Sequence, residues 1–322
     1  MDSIGGYFGL ELQKGRHYHK RAIRLNTARN CLEYILKVRG YDKVYIPYYT
    51  CEVILEPFKK CNVEYEFYHI DGALEPVKKI ELKENEAFLY TNYFGLKQSC
   101  VERLARVYNR QLIVDNAQAF YAKPLPGIDT FYSARKFFGV ADGAYLYIDK
   151  YLDEPILQDY SFERMAHLLK RIDLSAEEGY HDFQSSDNLL INNPVKKMSD
   201  LTGAILSSID YDRVKTIRRE NYLYLHQNLE KSNKIQANID ISKHKDMVPM
   251  VYPYLVENGN RLRGIIIYNK IFIATYWANV MDWLNNESLE YELANNILPL
   301  PIDQRYTQDD MDQILKVLLW RK

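Results

Sequence analysis

The sequence predicts an α/β fold built on a largely parallel sheet, and two observations carry that prediction. Strand-like stretches, apolar runs at 43–47, 87–91 and 112–115 and an apolar–polar alternation at 63–70, recur with helical stretches between them, the order of strands and crossover helices that cover a sheet on both faces. One of these runs, Leu112-Ile113-Val114, ends in Asp115. A buried strand ending in a carboxylate delivers it to the carboxyl edge, where open α/β sheets place their ligands.

The elements follow in chain order. Residues 1–24 carry Gly5-Gly6 and a basic cluster around His17 and His19, read as a solvated arm with a weak metal signal at most. A helix begins at Asn26 or Thr27, either of which suits the N-cap, and Leu32, Ile35 and Leu36 follow at helical spacing. Its N-terminus offers unpaired N–H groups and the positive end of a dipole, which suits a phosphate. Strand 43–47 precedes a helix over 52–60 capped by Thr50, strand 63–70, a charged connector over 71–84, strand 87–91 and a helix over 99–108.

Beyond the strand of Asp115, a second strand leads to Lys136, set among Phe131, Tyr132, Phe137 and Phe138. Desolvation there would lower the lysine's pKa and favour the free amine that carbonyl chemistry needs. A lysine for a Schiff base and an anion for a pyridinium nitrogen are the two groups pyridoxal phosphate requires of a protein. Helices are expected over 153–171, 200–232 and 307–320, a loop over 177–193, and strands of a small antiparallel sheet at 247–255, 262–267 and 271–275.

Asp115-x-x-Gln118, then Lys136-x-x-Gly139-x-x-Asp142-Gly143-Ala144, resembles the signature of the DegT/StrS-type nucleotide-sugar aminotransferases, fold type I pyridoxal-phosphate enzymes. The resemblance covers nearly the whole chain, and 115–143 is its specific segment. It implies a mostly parallel seven-stranded sheet with helices on both faces, in a large domain over 1–200, and a smaller C-terminal α+β domain over 201–322. Lys136 would hold the cofactor and move protons, Asp115 would face the ring nitrogen, and Gln118 would bond the ring's phenolic oxygen. Thr27-Ala28-Arg29 aligns with the family's phosphate turn; Arg29 is read either as a phosphate ligand or as a surface arginine on the first helical turn. Phe131 stands where the family has a phosphate-binding serine, and Ser133 is the substitute.

Cys51 occupies the place of the ring-stacking aromatic, for which Tyr48 or Tyr49 is the replacement. Ala144 stands for a glycine, which requires a negative φ. Asn193, with Asn192 as its alternate, is read either as a plain loop asparagine or as the counterpart of the asparagine that in the family reaches the neighbouring subunit's phosphate, which implies a homodimer with shared active sites. Arg218-Arg219-Glu220-Asn221 resembles a family helix, although as chemistry a charged helix face is the default reading. The family's donor is glutamate and its acceptor a keto sugar linked to a nucleotide, a step toward surface polysaccharides or glycans. The alternative is a non-catalytic or regulatory homologue that keeps the fold.

Composition bounds these readings. In 322 residues a net charge of −1 argues against a nucleic-acid or membrane-surface role. Cys31, Cys51, Cys61 and Cys100 are scattered without a Cys-x-x-Cys pair, as in reduced thiols. No signal pattern and no apolar run of spanning length is present, so a cytoplasmic enzyme is expected.

Overall fold

A computed structural model describes residues 4–235 and 246–319. Strand β1 (Ile23–Leu25) leads into helix α1 (Ala28–Arg39). Thr27 is extended and its hydroxyl accepts from the Asn30 N–H, while Gly40 closes the helix in the left-handed conformation at φ 69°. Strand β2 (Lys43–Pro47), helix α2 (Leu55–Cys61), strands β3 (Glu64–Tyr68) and β4 (Glu86–Thr91), helix α3 (Gln98–Tyr108) and strands β5 (Leu112–Asn116), β6 (Asp129–Ser133) and β7 (Ala144–Tyr147) complete the sheet region. The seven strands lie in the order β1-β7-β6-β5-β4-β2-β3. All pairings from β6 to β3 are parallel, whereas β7 runs antiparallel to both β6 and β1.

Successive side chains of the central strands enter opposite layers. Ile113 and Leu89 pack with Leu32, Ile35 and Val44 under α1, and Phe88, Tyr90, Leu112 and Val114 pack into the other face. Burial on both faces is why these strands read as continuous apolar runs. Each fully buried aliphatic side chain stabilises the fold by about 1.5–3 kcal/mol.

The second half departs from the sequence reading in several places. The stretch 153–171 is mostly irregular, and only its end is helix α4 (Ala166–Asp173). Pro155 has no N–H to donate, and buried Asp159 turns the chain by accepting from the Tyr160 N–H at 3.0 Å and from Arg164 at 2.8 Å. The expected loop contains helix α5 (Tyr180–Asn188), held to α4 by Lys170 and Asp182 at 2.7 Å. The expected long helix is two, α6 (Asp200–Ser207) and α7 (Tyr211–Leu229), because Asp210 caps the second through the Arg213 N–H. Residues 262–267 belong to helix α8 (Gly259–Tyr268), which follows strand β8 (Tyr252–Leu255). Leu262 and Ile266 are buried four apart while Ile265 and Ile267 are exposed, so the β-branched run obeys a helical period. No strand forms over 271–275.

Helices α9 (Val280–Trp283) and α10 (Leu289–Asn296) precede strand β9 (Ile297–Leu300), which pairs antiparallel with β8. Helix α11 (Gln308–Leu319) ends the described chain, and Trp320 lies outside it. Thr50 does not cap α2: its N–H bonds to the Tyr48 carbonyl, and a 3-10 turn at Glu52–Ile54 intervenes. Pro57 fits only the first turn of a helix, which fixes the start of α2. No helix among the described residues is long and apolar enough to cross a membrane.

Candidate active site

The carboxyl ends of β4, β5 and β6, the N-terminus of α1 and the segment around Trp277 enclose a cavity of about 180 Å³. An engineered apolar cavity of about 150 Å³ holds benzene, so the space suits one substituted aromatic ring. Thr27, Ala28, Arg29, Cys51, Thr91, Asp115, Gln118, Phe131, Ser133, Arg135, Lys136, Asp187 and Trp277 are among its walls. Two wider grooves, of about 760 and 830 Å³, lie elsewhere, and their carboxylates are exposed. Neither brings a buried acid to an amine.

Asp115 sits one residue from the end of β5, opposite Phe131 of β6. Its Oδ1 accepts from the Ala117 N–H at 2.8 Å. Burial pushes its carboxyl up to about 6, against the opposing pull of that N–H, of the Lys136 ammonium and of the Thr91 hydroxyl. A buried carboxylate in this condition lacks a full cationic partner. Thr91 Oγ1 is itself buried and makes no hydrogen bond of ordinary geometry among the described residues.

Lys136 closes the 3-10 turn Ala134–Lys136 that follows β6. The turn is tied down by the Ala134 N–H on the Gly143 carbonyl at 3.0 Å. The lysine is exposed, contrary to the expectation that the aromatics around it would enclose it. Phe137 and Phe138 instead turn inward against Phe120, with ring centroids 5.7 and 4.9 Å away. The carbonyl of Phe137 is gripped by Gln304 Nε2 at 2.8 Å, and Arg218 lays its guanidinium 4.6 Å above the Phe137 ring. Arg218 and Asn221 are thus buried, and the charged-face reading of that helix is corrected.

Gln118 is oriented by its Oε1, which accepts from the Phe94 N–H at 2.9 Å and leaves the amide nitrogen as the group still to be used. At the start of α1, the Asn30 N–H is taken by Thr27 and the Cys31 N–H by the Thr27 carbonyl. The N–H groups of Ala28 and Arg29 have no carbonyl beneath them in the helix. The Arg29 side chain is neither free nor on the surface: Nη1 donates to Glu56 at 2.8 Å, with both side chains about one-tenth exposed. Ser133 lies two residues after Phe131 on the same face of β6, nearer the sheet edge, and both line the cavity.

Cys51 lines the cavity, yet Tyr48 and Tyr49 do not replace the missing ring. Tyr48 stacks on Phe67 at 4.6 Å and Tyr49 is wholly buried. Trp277 supplies the aromatic wall from the C-terminal half, set against Tyr49 at 4.7 Å and steadied by Asn279 Nδ2 on the Thr50 carbonyl at 3.0 Å. Trp277 and Asp187 lie far along the chain from the motif, and Thr91 and Arg135 carried no signal beyond their proximity to motif residues. Asn193 is not in this cavity; its carbonyl accepts from Lys60 at 2.9 Å, beside α1.

The hairpin after the lysine is structural. Asp142 is fully buried and accepts from the Ser199 N–H and hydroxyl at 2.8 and 2.7 Å and from the Thr202 hydroxyl. Gly143 adopts φ 114°, while Ala144 has no positive φ, as its replacement of a glycine requires. His17 and His19 are buried and bonded to Tyr145 and to the Phe120 carbonyl, and no metal-binding group of side chains occurs among the described residues.

No family model and no curated protein matches the sequence. Solved structures do match in fold. They include the sugar aminotransferase CalS13 from Micromonospora echinospora, 15% identical, at a TM-score of 0.58 over 93% of this chain and 87% of that one. A DegT DnrJ EryC1 StrS aminotransferase from Brucella abortus is 15% identical, at 0.60 over 92% and 85%. The NtdA protein of Bacillus subtilis, with bound cofactor PMP, is 14% identical, at 0.61 over 92% and 72%. The chain therefore has the fold of these aminotransferases, as its seven-stranded sheet and small second sheet also indicate.

Proposed function

We propose that the protein is a pyridoxal-phosphate-dependent aminotransferase that moves an amino group from glutamate to a keto sugar linked to a nucleotide. The observation that carries the reading is that Asp115, from β5, and Lys136, from the turn that follows the neighbouring β6, line one ring-sized cavity. Bound there, pyridoxal phosphate would supply an electron sink that lowers the cost of removing a proton beside nitrogen.

The residues fit the group. Asp115 is buried, short of a cation and raised toward neutrality, the state that a protonated ring nitrogen relieves. Gln118 offers its amide nitrogen to the phenolic oxygen. The N–H groups of Ala28 and Arg29, with the hydroxyls of Thr27 and Ser133, present donors to a phosphate at the positive end of α1. The Arg29 side chain, held by Glu56, acts there as fixed positive charge. Lys136 Nζ accepts a proton at one carbon and returns it at the next. Trp277 walls the ring in place of an aromatic at Cys51.

The reading extends to a homodimer. Tyr151, Leu157, Tyr160, Phe162, Ile172 and Leu174 are all more than 60% exposed within one stretch of chain, apolar side chains that a second copy would cover. Asn193 is the residue assigned to the partner's site. Four cysteines free of disulfides are in keeping with a reducing cytoplasm.

The test is optical. Protein incubated with pyridoxal phosphate should gain a visible absorption band, lose it on addition of glutamate, and form none when Lys136 is replaced by Ala. A band that no amino donor bleaches would identify a non-catalytic homologue.

A further inference from the structure

The cavity holds two guanidinium groups in different circumstances. Arg29 is committed to Glu56, which Lys60 also approaches at 2.7 Å. Arg135, the residue before Lys136, meets only one carboxylate among the described residues, with Nη2 donating to Asp187 Oδ1 at 2.8 Å. Its side chain is 18% exposed, and its Nε is buried without a hydrogen-bond partner among the described residues. A guanidinium presents its donors as a planar fork that matches a carboxylate in two places. Here the fork is used at one prong.

Asp187 is a replaceable partner. It is 51% exposed at the end of α5, and its helix is fastened by other residues, through Asp182 to Lys170 and through the Ser186 hydroxyl to the Arg164 carbonyl. Exchanging Asp187 for another carboxylate breaks neither fastening. The released Asp187 is returned to water, where an ionised carboxylate is well solvated.

We propose that Arg135 is the receptor for a substrate carboxylate, and that Asp187 is a stand-in which that carboxylate displaces. This rests on the aminotransferase reading for the owner of the group, the amino donor and the keto acid it becomes. Their carboxylate then docks next to the lysine on which their nitrogen is exchanged, and donors without an anionic group are bound less well.

Isothermal titration with glutarate, a dicarboxylate with no amino group to react, tests this on cofactor-loaded protein. The Arg135→Gln variant should bind glutarate about tenfold more weakly, with Arg135→Lys recovering part of the loss. The Asp187→Asn variant should bind it several-fold more tightly, since the competing internal carboxylate is gone. Titration with inorganic phosphate should change less than twofold in each variant. Absence of glutarate binding by the native protein, an unchanged affinity in Arg135→Gln, or weaker binding in Asp187→Asn would overturn the inference. A loss of phosphate binding equal to that of glutarate would do so too, by assigning Arg135 to a phosphate. The visible band of the same samples separates the two readings: native protein without the band fails as an aminotransferase, whereas an intact band with unmoved glutarate affinities refutes the role of Arg135 alone.

Discussion

Asp142 reaches across to Ser199 and takes both its N–H and its hydroxyl, at 2.8 and 2.7 Å. The same hydroxyl caps α6, so one buried carboxylate joins the hairpin after Lys136 to the start of that helix. Replacing Asp142 by Ala strands several donors in the core, and a loss of about 3 kcal/mol is expected in urea unfolding. Native-like stability would show that the hairpin is held elsewhere.

Gly143 tests the same hairpin sterically. A Cβ there would lie 2.9 Å from Thr202 Cγ2, on a backbone at φ 114°. The Gly143→Ala protein should be destabilised by about 1–3 kcal/mol, read as a lower melting temperature. Shortening the neighbour in the double variant with Thr202→Ser should return only part of it, because the backbone strain remains.

Asp115 makes the stability of cofactor-free protein depend on pH. Its carboxyl is raised to about 6 in the fold, from 3.8, so the folded state holds the proton more tightly than the unfolded chain. The stabilisation is complete below about 4 and is lost as the pH rises through 6, about 3 kcal/mol in all. His17 and His19, both lowered by burial to about 4, act in the opposite sense over the same range. The contribution of Asp115 is therefore read as the difference between native and Asp115→Asn denaturation curves from pH 4 to 7. Saturating pyridoxal phosphate should abolish that difference's rise with pH, and a flat difference without cofactor would refute the assignment.

The clamp on the lysine turn gives a third kind of test. Buried Arg218 donates to the Met250 carbonyl at 2.9 Å and to Gln304 at 3.0 Å while covering Phe137. Cutting it to Ala should cost about 3–5 kcal/mol, since it empties a large volume and frees carbonyls. Gln304→Ala should be milder in urea unfolding, because only the bond to the Phe137 carbonyl and one to Arg218 are lost.

Association is checked by charge. Ile172, 82% exposed, is the most exposed of the six apolar residues between 151 and 174. The Ile172→Glu variant should sediment as a single chain where the native protein sediments as two; unchanged mass would move the contact to another face.

The first half of the fold was legible because its signals are local. Leu112 to Asp115 is an uninterrupted apolar run with a terminal acid, and Thr27 declares a helix start by its own chemistry. The second half misled where local preference and packing disagree. Ile265, Ile266 and Ile267 favour a strand, yet only Ile266 is buried, and the helix is decided by Leu262 and Ile266 meeting the core together. At the site, a strand-end acid and a lysine before a glycine hairpin are visible at fixed spacing. Trp277 and Asp187 are not, because they arrive from 141 and 51 residues beyond Lys136 and Lys136's own neighbours say nothing of them. The exposure of Lys136 was hidden for a related reason: the aromatics beside it in sequence point the other way.

The pairing of β5 with β6, in register at Asp115 and Phe131, has a practical corollary. The ladder sets where the backbone of the acid stands relative to the strand that leads into the lysine turn. Anyone wishing to retune what this protein accepts would leave those anchors alone and rework the rim, where Cys51, Trp277 and Asp187 each come from a different part of the chain and can be altered one at a time.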